Sequence, residues 1–74
     1  MSDRLPSVNG FEVLAALRQD GWYIARRSRH MILRHPAKPG MVPVPMHRED
    51  LRPGTLRGII RQAGLTVAQF NDLL

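Results

Sequence analysis

Apolar and polar residues follow two different periods along this chain. In residues 9–19 and 53–63 the apolar positions recur every three to four residues, which predicts two amphipathic α-helices. In residues 22–46 they alternate with a period of two, which is typical of short β-strands. The order predicted is therefore α-β-β-β-α, with a further short helix at about residues 66–74.

The first helix has clear signals at both ends. Asn9 and Glu12 have the spacing of a capping box, in which each side chain accepts a hydrogen bond from the backbone of the other. Gly21 is expected to end the helix in the left-handed conformation that glycine adopts without a Cβ clash. The helix wheel places Ala16 on the outer side and an apolar face opposite it. That predicted core face consists of Val13, Leu14 and Leu17, with Phe11 at its edge.

Three strand segments are predicted, at residues 22–27, 31–35 and 41–46. In the second strand Ile32 is expected to point into the core, with Met31 and Leu33 on the opposite face. Pro43 and Pro45 cannot donate ladder hydrogen bonds, so the third strand is expected at a sheet edge. Trp22, which follows the helix stop directly, is interpreted as a core residue.

The second helix is expected to begin at Pro53, which suits a first helical turn, and to end at Gly64. Thr66 and Gln69 repeat the capping-box spacing and predict the short last helix. Residues 1–7 carry no pattern and are expected to be a loose terminus. The apolar stripe of the second helix consists of Leu56, Ile59, Ile60 and Ala63.

Length and composition narrow the class of protein. With 74 residues, 43% of them hydrophobic, the chain is expected to form one domain, residues 1–74, with a single modest core. It has no cysteine, so neither a disulfide nor a zinc–thiolate site is expected. No stretch approaches the ~20 apolar residues of a transmembrane helix, and no signal-peptide pattern is present. These features predict a soluble, cytoplasmic protein.

The charge is unevenly distributed. The chain has a formal net charge of +5, and no acidic residue lies between Asp20 and Glu49. Such a bias predicts a polyanionic partner, either a nucleic acid or an acidic protein surface. The basic residues of this interval are Arg26, Arg27, Arg29, Arg34, Lys38 and Arg48.

His30 is the candidate for catalysis, because it lies in the predicted turn between the first two strands. A neutral imidazole can remove the proton of a ribose 2′-hydroxyl, whose oxygen then attacks the neighbouring phosphate. Guanidinium groups beside it would bind the phosphate and stabilise its transition state. Arg27 and Arg29 are the first candidates for these contacts, and Arg26 and Arg34 are weaker ones. Composition alone leaves open that His30 is an ordinary exposed turn residue.

Other groups of residues give weaker indications of function. The three histidines, His30, His35 and His47, do not have a spacing that converges on a metal, and no metal or cofactor is predicted. Arg57 and Arg61 lie one helical turn apart, where they could contact RNA phosphates or simply be solvated. The last two helices also have the order of a helix-turn-helix, which leaves a DNA-binding protein as a further alternative.

Several blocks of the sequence, in the same order and spacing, resemble the HicA-type toxins, small mRNA interferases of bacterial toxin–antitoxin pairs. The resemblance covers roughly residues 5–73. The blocks are Asp20-Gly21-Trp22, residues 26–36, Lys38-Pro39-Gly40, Val42-Pro43-Val44-Pro45, Pro53-Gly54-Thr55-Leu56-Arg57 and Gln62-Ala63-Gly64-Leu65. The resemblance implies an α+β fold similar to a double-stranded-RNA-binding domain, with a three-stranded antiparallel sheet and helices on one face.

The resemblance also implies a function. Members of the family cleave mRNA through one histidine in a Gly-Ser-His turn, and that histidine matches His30. Ser28 stands where glycine is usual and Arg29 where serine is usual, so a steric cost is expected at Ser28 if the turn needs positive φ. The implied partner is an acidic-surfaced HicB-type antitoxin, through which the toxin would oligomerise. A non-catalytic RNA-binding module on the same fold is the alternative.

Overall fold

The computed structural model describes residues 3–74, and the order of their helices and strands confirms the predicted α+β architecture. The elements are α1 Gly10–Gln19, β1 Tyr23–Arg27, β2 His30–Arg34, β3 Val42–Pro45, α2 Pro53–Gln62 and α3 Val67–Asp72. The strands form one antiparallel sheet in the order β1-β2-β3, so β3 is an edge strand as its prolines predicted. No helix in residues 3–74 is long and apolar enough to cross a membrane.

Both predicted capping boxes are present. The backbone N–H of Glu12 donates to Asn9 Oδ1 at 3.0 Å, and the N–H of Asn9 donates to a Glu12 carboxylate oxygen at the same distance. Thr66 and Gln69 make the equivalent pair of bonds at the start of α3. Gly21 follows α1 with φ of +105°, which confirms the left-handed stop.

The core lies between one face of the sheet and helices α1 and α2. The largest fully buried side chains are Trp22, Phe70, Leu17, Leu33, Leu56, Val13, Val42 and Val44. Helix α1 contributes Ala16, which is almost fully buried, whereas Leu14 is only partly buried. The expectation that Ala16 lies on the outer side was therefore wrong. Ala16 is three residues from Val13, so the two share the stripe that packs on the sheet.

The side-chain alternation of β2 is the opposite of the predicted one. Leu33 is fully buried and pairs with Val42, which is also fully buried, while Ile32 pairs with Pro43. Directly paired residues point to the same side of a sheet. Leu33 and Met31 therefore face the core, and Ile32 faces away from it. Because all three residues are apolar, the two alternations could not be distinguished from the sequence.

The N-terminal segment contacts the body of the domain at Arg4, Leu5 and Val8. The carbonyl oxygen of Arg4 accepts a hydrogen bond from the Asn71 side chain at 2.8 Å. The carbonyl oxygen of Val8 accepts one from the N–H of Leu51 at 2.9 Å, and Leu5 packs against the core. The expectation of a loose stretch over residues 1–7 does not hold for this part, while residues 1 and 2 lie outside the described residues.

Replacing Gly10 by alanine tests the close approach of α1 to β3. A Cβ at Gly10 would lie 1.8 Å from the carbonyl oxygen of Pro45, which is backbone and cannot rotate away. We expect Gly10→Ala to lower the free energy of unfolding in urea by about 1–3 kcal/mol. The matched control is Gly58→Ala in α2, where no atom lies within 4 Å. It should raise the same quantity by roughly 1 kcal/mol through helix propensity. Equal stabilities for the two variants would contradict this packing.

Candidate active site

His30 is the first residue of β2 rather than a turn residue, and it lies in a cleft beside helix α2. The cleft has a volume of about 300 Å³. The residue is half-buried, and its Nδ1 atom is buried without a hydrogen-bond partner among the described residues. The other lining residues are Pro43, Pro45, Gly54, Thr55, Gly58, Ile59 and Gln62.

The turn before His30 accommodates its unusual residues without backbone strain. No described residue other than glycine has a positive φ, so neither Ser28 nor Arg29 occupies the left-handed region. The N–H of Ser28 donates to the carbonyl oxygen of His30 at 3.1 Å, which closes the turn. The steric cost expected at Ser28 is therefore absent, because this turn does not use the conformation that favours glycine.

Two of the predicted arginines lie on the same sheet face as His30. We call the face that points away from the core the open sheet face. Arg34 lies four residues after His30 on β2, and side chains two or four residues apart along a strand share a face. Arg26 pairs with Ile32, so it joins them. The open sheet face thus carries Tyr23, Arg26, His30, Ile32, Arg34, Pro43 and Pro45.

The remaining arginines are placed differently. Arg27 pairs with Met31 on the core side of the sheet, and its Nη1 lies 4.0 Å from the Met31 sulfur. Arg29 is exposed in the turn next to His30. Arg57 and Arg61 line a separate groove of about 250 Å³ between α2 and α3. Arg26 and Arg34 thus share the sheet face of His30, and Arg29 adjoins it in the turn. Arg27, expected to be one of the two main phosphate contacts, lies instead on the core side of the sheet, because the strand register pairs it with Met31.

Both ring nitrogens of His35 make hydrogen bonds that hold the fold together, unlike Nδ1 of His30. Its Nε2 lies 2.7 Å from the carbonyl oxygen of Asp20, and its Nδ1 accepts the N–H of Ala37 at 3.0 Å. A carbonyl oxygen can only accept, so Nε2 carries the proton and Nδ1 is the acceptor. The ring also contacts Trp22 edge to face, with centroids 5.3 Å apart. Both nitrogens of His35 are therefore occupied.

Asp20, whose carbonyl oxygen contacts His35, makes further contacts through its carboxylate. It accepts hydrogen bonds from Trp22 Nε1 at 3.2 Å and from Lys38 Nζ at 2.6 Å. Lys38 Nζ also donates to the carbonyl oxygen of Ala63 at 3.0 Å, at the end of α2. We call Asp20, Trp22, His35 and Lys38 the Asp20 cluster. It joins the end of α1, the start of β1, the loop after β2 and the end of α2.

His47 is exposed and lines a different depression, beside Glu49 and Asp50. Over the range 3–74, no group of three or more histidine, cysteine, aspartate or glutamate side chains is placed to hold a metal ion. The three histidines thus have three separate environments.

The patterns in the sequence did not predict the α2 side of the cleft. Gly54, Gly58 and Gln62 are spaced by four residues and form one side of the helix, next to Thr55. This spacing was visible in the sequence as a small and polar stripe beside the apolar one. Nothing in the spacing shows that the stripe meets the start of β2, because that depends on how α2 packs beside β3.

The fold and the site define a small basic α+β domain in which a histidine cleft adjoins an arginine-bearing sheet face. The family model for the HicA toxin of bacterial toxin–antitoxin pairs matches residues 10–65 of the 74 residues. The chain belongs to the HicA toxin family. Membership makes it the toxin component of a toxin–antitoxin pair and implies an antitoxin partner. No curated protein matches the sequence.

Alanine substitutions should separate the structural histidine from the one in the cleft. His35→Ala removes the partners of Asp20 and Ala37, so we expect it to lower the free energy of unfolding by about 1–3 kcal/mol. His30→Ala removes a buried nitrogen that has no partner, so its effect should be within about 1 kcal/mol of zero. Urea denaturation followed by circular dichroism measures both. A larger loss for His30→Ala than for His35→Ala would contradict these assignments.

Proposed function

We propose that this toxin is a metal-independent endoribonuclease that cleaves mRNA, with His30 as the general base. The observation that carries the proposal is the position of His30, which lies in a cleft on the same sheet face as Arg26 and Arg34. The HicA family membership of the chain supports the same reading.

The proposed reaction is an internal transfer of the phosphate ester. The imidazole of His30 accepts the proton of the 2′-hydroxyl, and the 2′-oxygen forms a bond to the adjacent phosphorus. The bond from phosphorus to the 5′-oxygen of the next nucleotide breaks, which leaves a 2′,3′-cyclic phosphate and a 5′-hydroxyl. No acidic or lysine side chain lines the cleft, so the imidazolium returns the proton to the leaving 5′-oxygen, directly or through water.

The base is assigned to Nε2 of His30. Because Nδ1 is buried, Nε2 is the nitrogen that a substrate in the cleft would reach. A second hydrogen bond to a carboxylate or carbonyl group often orients a catalytic histidine. None is present at Nδ1 among residues 3–74, so packing within the cleft orients the ring instead.

The arginines on the open sheet face supply the positive charge for the phosphate. Within the described part of the chain, no ion pair is found for Arg26 or Arg34. Their guanidinium groups are therefore available to phosphate oxygens. Arg26, which pairs with Ile32, is nearer to His30 than Arg34 and can stabilise charge that develops in the transition state. Arg29 in the turn is a third candidate. Arg57 and Arg61 are assigned a supporting role in RNA binding, and Arg27, on the core side of the sheet, is assigned none.

The antitoxin partner is proposed to be a HicB-type protein with an acidic surface. The arginines of the open sheet face have no acidic partner within the described residues, so they could pair with an acidic protein surface. An antitoxin bound to these arginines would block access to His30. Assembly into larger complexes would then occur through the antitoxin.

Substitution of His30 tests the chemistry. We expect His30→Ala to cleave a single-stranded mRNA fragment 10²–10⁴-fold more slowly than the wild type, as measured on denaturing gels. Wild-type cleavage should persist in EDTA, and mass spectrometry should identify 2′,3′-cyclic phosphate ends. His47→Ala is the control, because His47 lies outside the cleft. If wild type and His30→Ala both bind the RNA and neither cleaves it, the protein is a non-catalytic RNA-binding module instead.

The salt dependence of binding tests which arginines contact the phosphates. In a His30→Ala background, Arg34→Ala should reduce the slope of log affinity against log salt by about 0.7, as for one lost phosphate contact on a single strand. Arg26→Ala should give the same reduction. Arg27→Ala, the neighbour on the core side of the sheet, should leave the slope unchanged. A larger effect from Arg27→Ala than from Arg34→Ala would place the RNA on another surface.

A further inference from the structure

Tyr23 is an exposed aromatic residue on the open sheet face. It is 50% exposed, whereas Trp22 next to it is buried in the core. Its position in the sheet is fixed by the pairing of Tyr23 with Arg34 across β1 and β2. The ring of Tyr23 and the guanidinium group of Arg34 therefore rise from the same face as neighbours.

The open sheet face is arranged in rows that lead from Tyr23 to His30. Tyr23 and Arg34 form the first row, Arg26 and Ile32 the second, and His30 lies in the third. Successive rows on one face are ~7 Å apart, because two residues of a strand span that distance. An extended single-stranded RNA backbone advances by a similar distance for each nucleotide. Tyr23 thus lies about two nucleotides from a phosphate held at His30.

We propose that the open sheet face is a stacking platform for single-stranded RNA, with Tyr23 stacking on a base about two nucleotides from the scissile phosphate. The substrate class assigned here rests on the proposed ribonuclease function. Tyr23 supplies the aromatic surface, and Arg34 and Arg26 supply phosphate contacts beside it. Aromatic rings flanked by arginines are the usual means of binding unpaired bases without reading their sequence.

Charge and shape suit single-stranded RNA as a ligand of this face, for which it would compete with the acidic antitoxin. The face carries Arg26, Arg34 and His30 and no acidic residue. Bases within an RNA duplex are stacked on each other and cannot lie on a side chain, so the ligand has to be single-stranded. The platform would therefore select unpaired stretches of RNA and would not depend strongly on their sequence.

Binding measurements on a short single-stranded RNA test the platform. In a His30→Ala background, which prevents cleavage, we expect Tyr23→Ala to weaken binding about tenfold by fluorescence anisotropy. Tyr23→Phe should bind like the parent, because it keeps the ring. Phe11→Ala is the matched control, since Phe11 is 52% exposed but lies on α1. It should also bind like the parent. Circular dichroism melting verifies that each variant is folded.

An abasic nucleotide placed at each position of the RNA in turn identifies the stacked base. At one position the abasic nucleotide should weaken RNA binding by the parent about tenfold. At the same position it should not weaken RNA binding by the Tyr23→Ala variant, because that variant already lacks the ring on which the base would stack. If Tyr23→Ala binds the intact RNA as tightly as the parent, the platform is wrong and the face is a protein-contact surface.

The two proposals fail separately. If RNA binding depends on Tyr23 but the wild type does not cleave RNA, the stacking platform is supported and the nuclease proposal is refuted. If the protein cleaves RNA through His30 but binds it independently of Tyr23, the stacking platform is refuted and the nuclease proposal is supported.

Discussion

Asp20 holds together the elements that position the candidate active site. Its carboxylate accepts hydrogen bonds from Trp22 and Lys38, and its backbone carbonyl oxygen accepts one from His35. These contacts, with the bond from Lys38 to Ala63, tie the end of α1 to the start of β1, to the residue that follows β2 and to the end of α2. Gly21 is required at the same place, because its φ is +105° and a Cβ there would lie 2.7 Å from His35 Nε2. The junction fixes where β1 begins and β2 ends. It therefore fixes which residues of the hairpin face the core and which face outward.

A single irregularity in β1 then decides which arginines accompany His30. The register shifts between Ile24 and Arg26, so Ala25 is an extra residue in the strand. In a regular strand Ile24 and Arg26 would share a face. The bulge instead leaves Ile24 in the core row with Leu33 and moves Arg26 to the open sheet face. Bulges commonly redirect a side chain next to an active site in this way.

The helix ends, the turns and the edge strand could be predicted from the sequence, whereas the face of Ala16 and the features that depend on pairing or packing could not. The capping boxes, the stop at Gly21 and the edge position of β3 each follow from the conformational limits of a few neighbouring residues. The side-chain alternation of β2 was predicted the wrong way, because Ile32 and Leu33 are equally apolar and only the pairing with Val42 separates them. The cleft beside α2 could not be predicted, because it forms between segments distant in sequence.

His30 and His35 differ in how their ring nitrogens are used. His35 has a hydrogen-bond partner at each ring nitrogen, so both nitrogens stabilise the fold. His30 has a buried nitrogen with no partner, an arrangement that costs stability and that proteins keep mainly where a ligand or a reaction needs the group. Ser28 and Arg29 fit the turn before His30 without strain, since neither residue has a positive φ. Arg29 therefore adds positive charge next to the imidazole without straining the backbone that presents it.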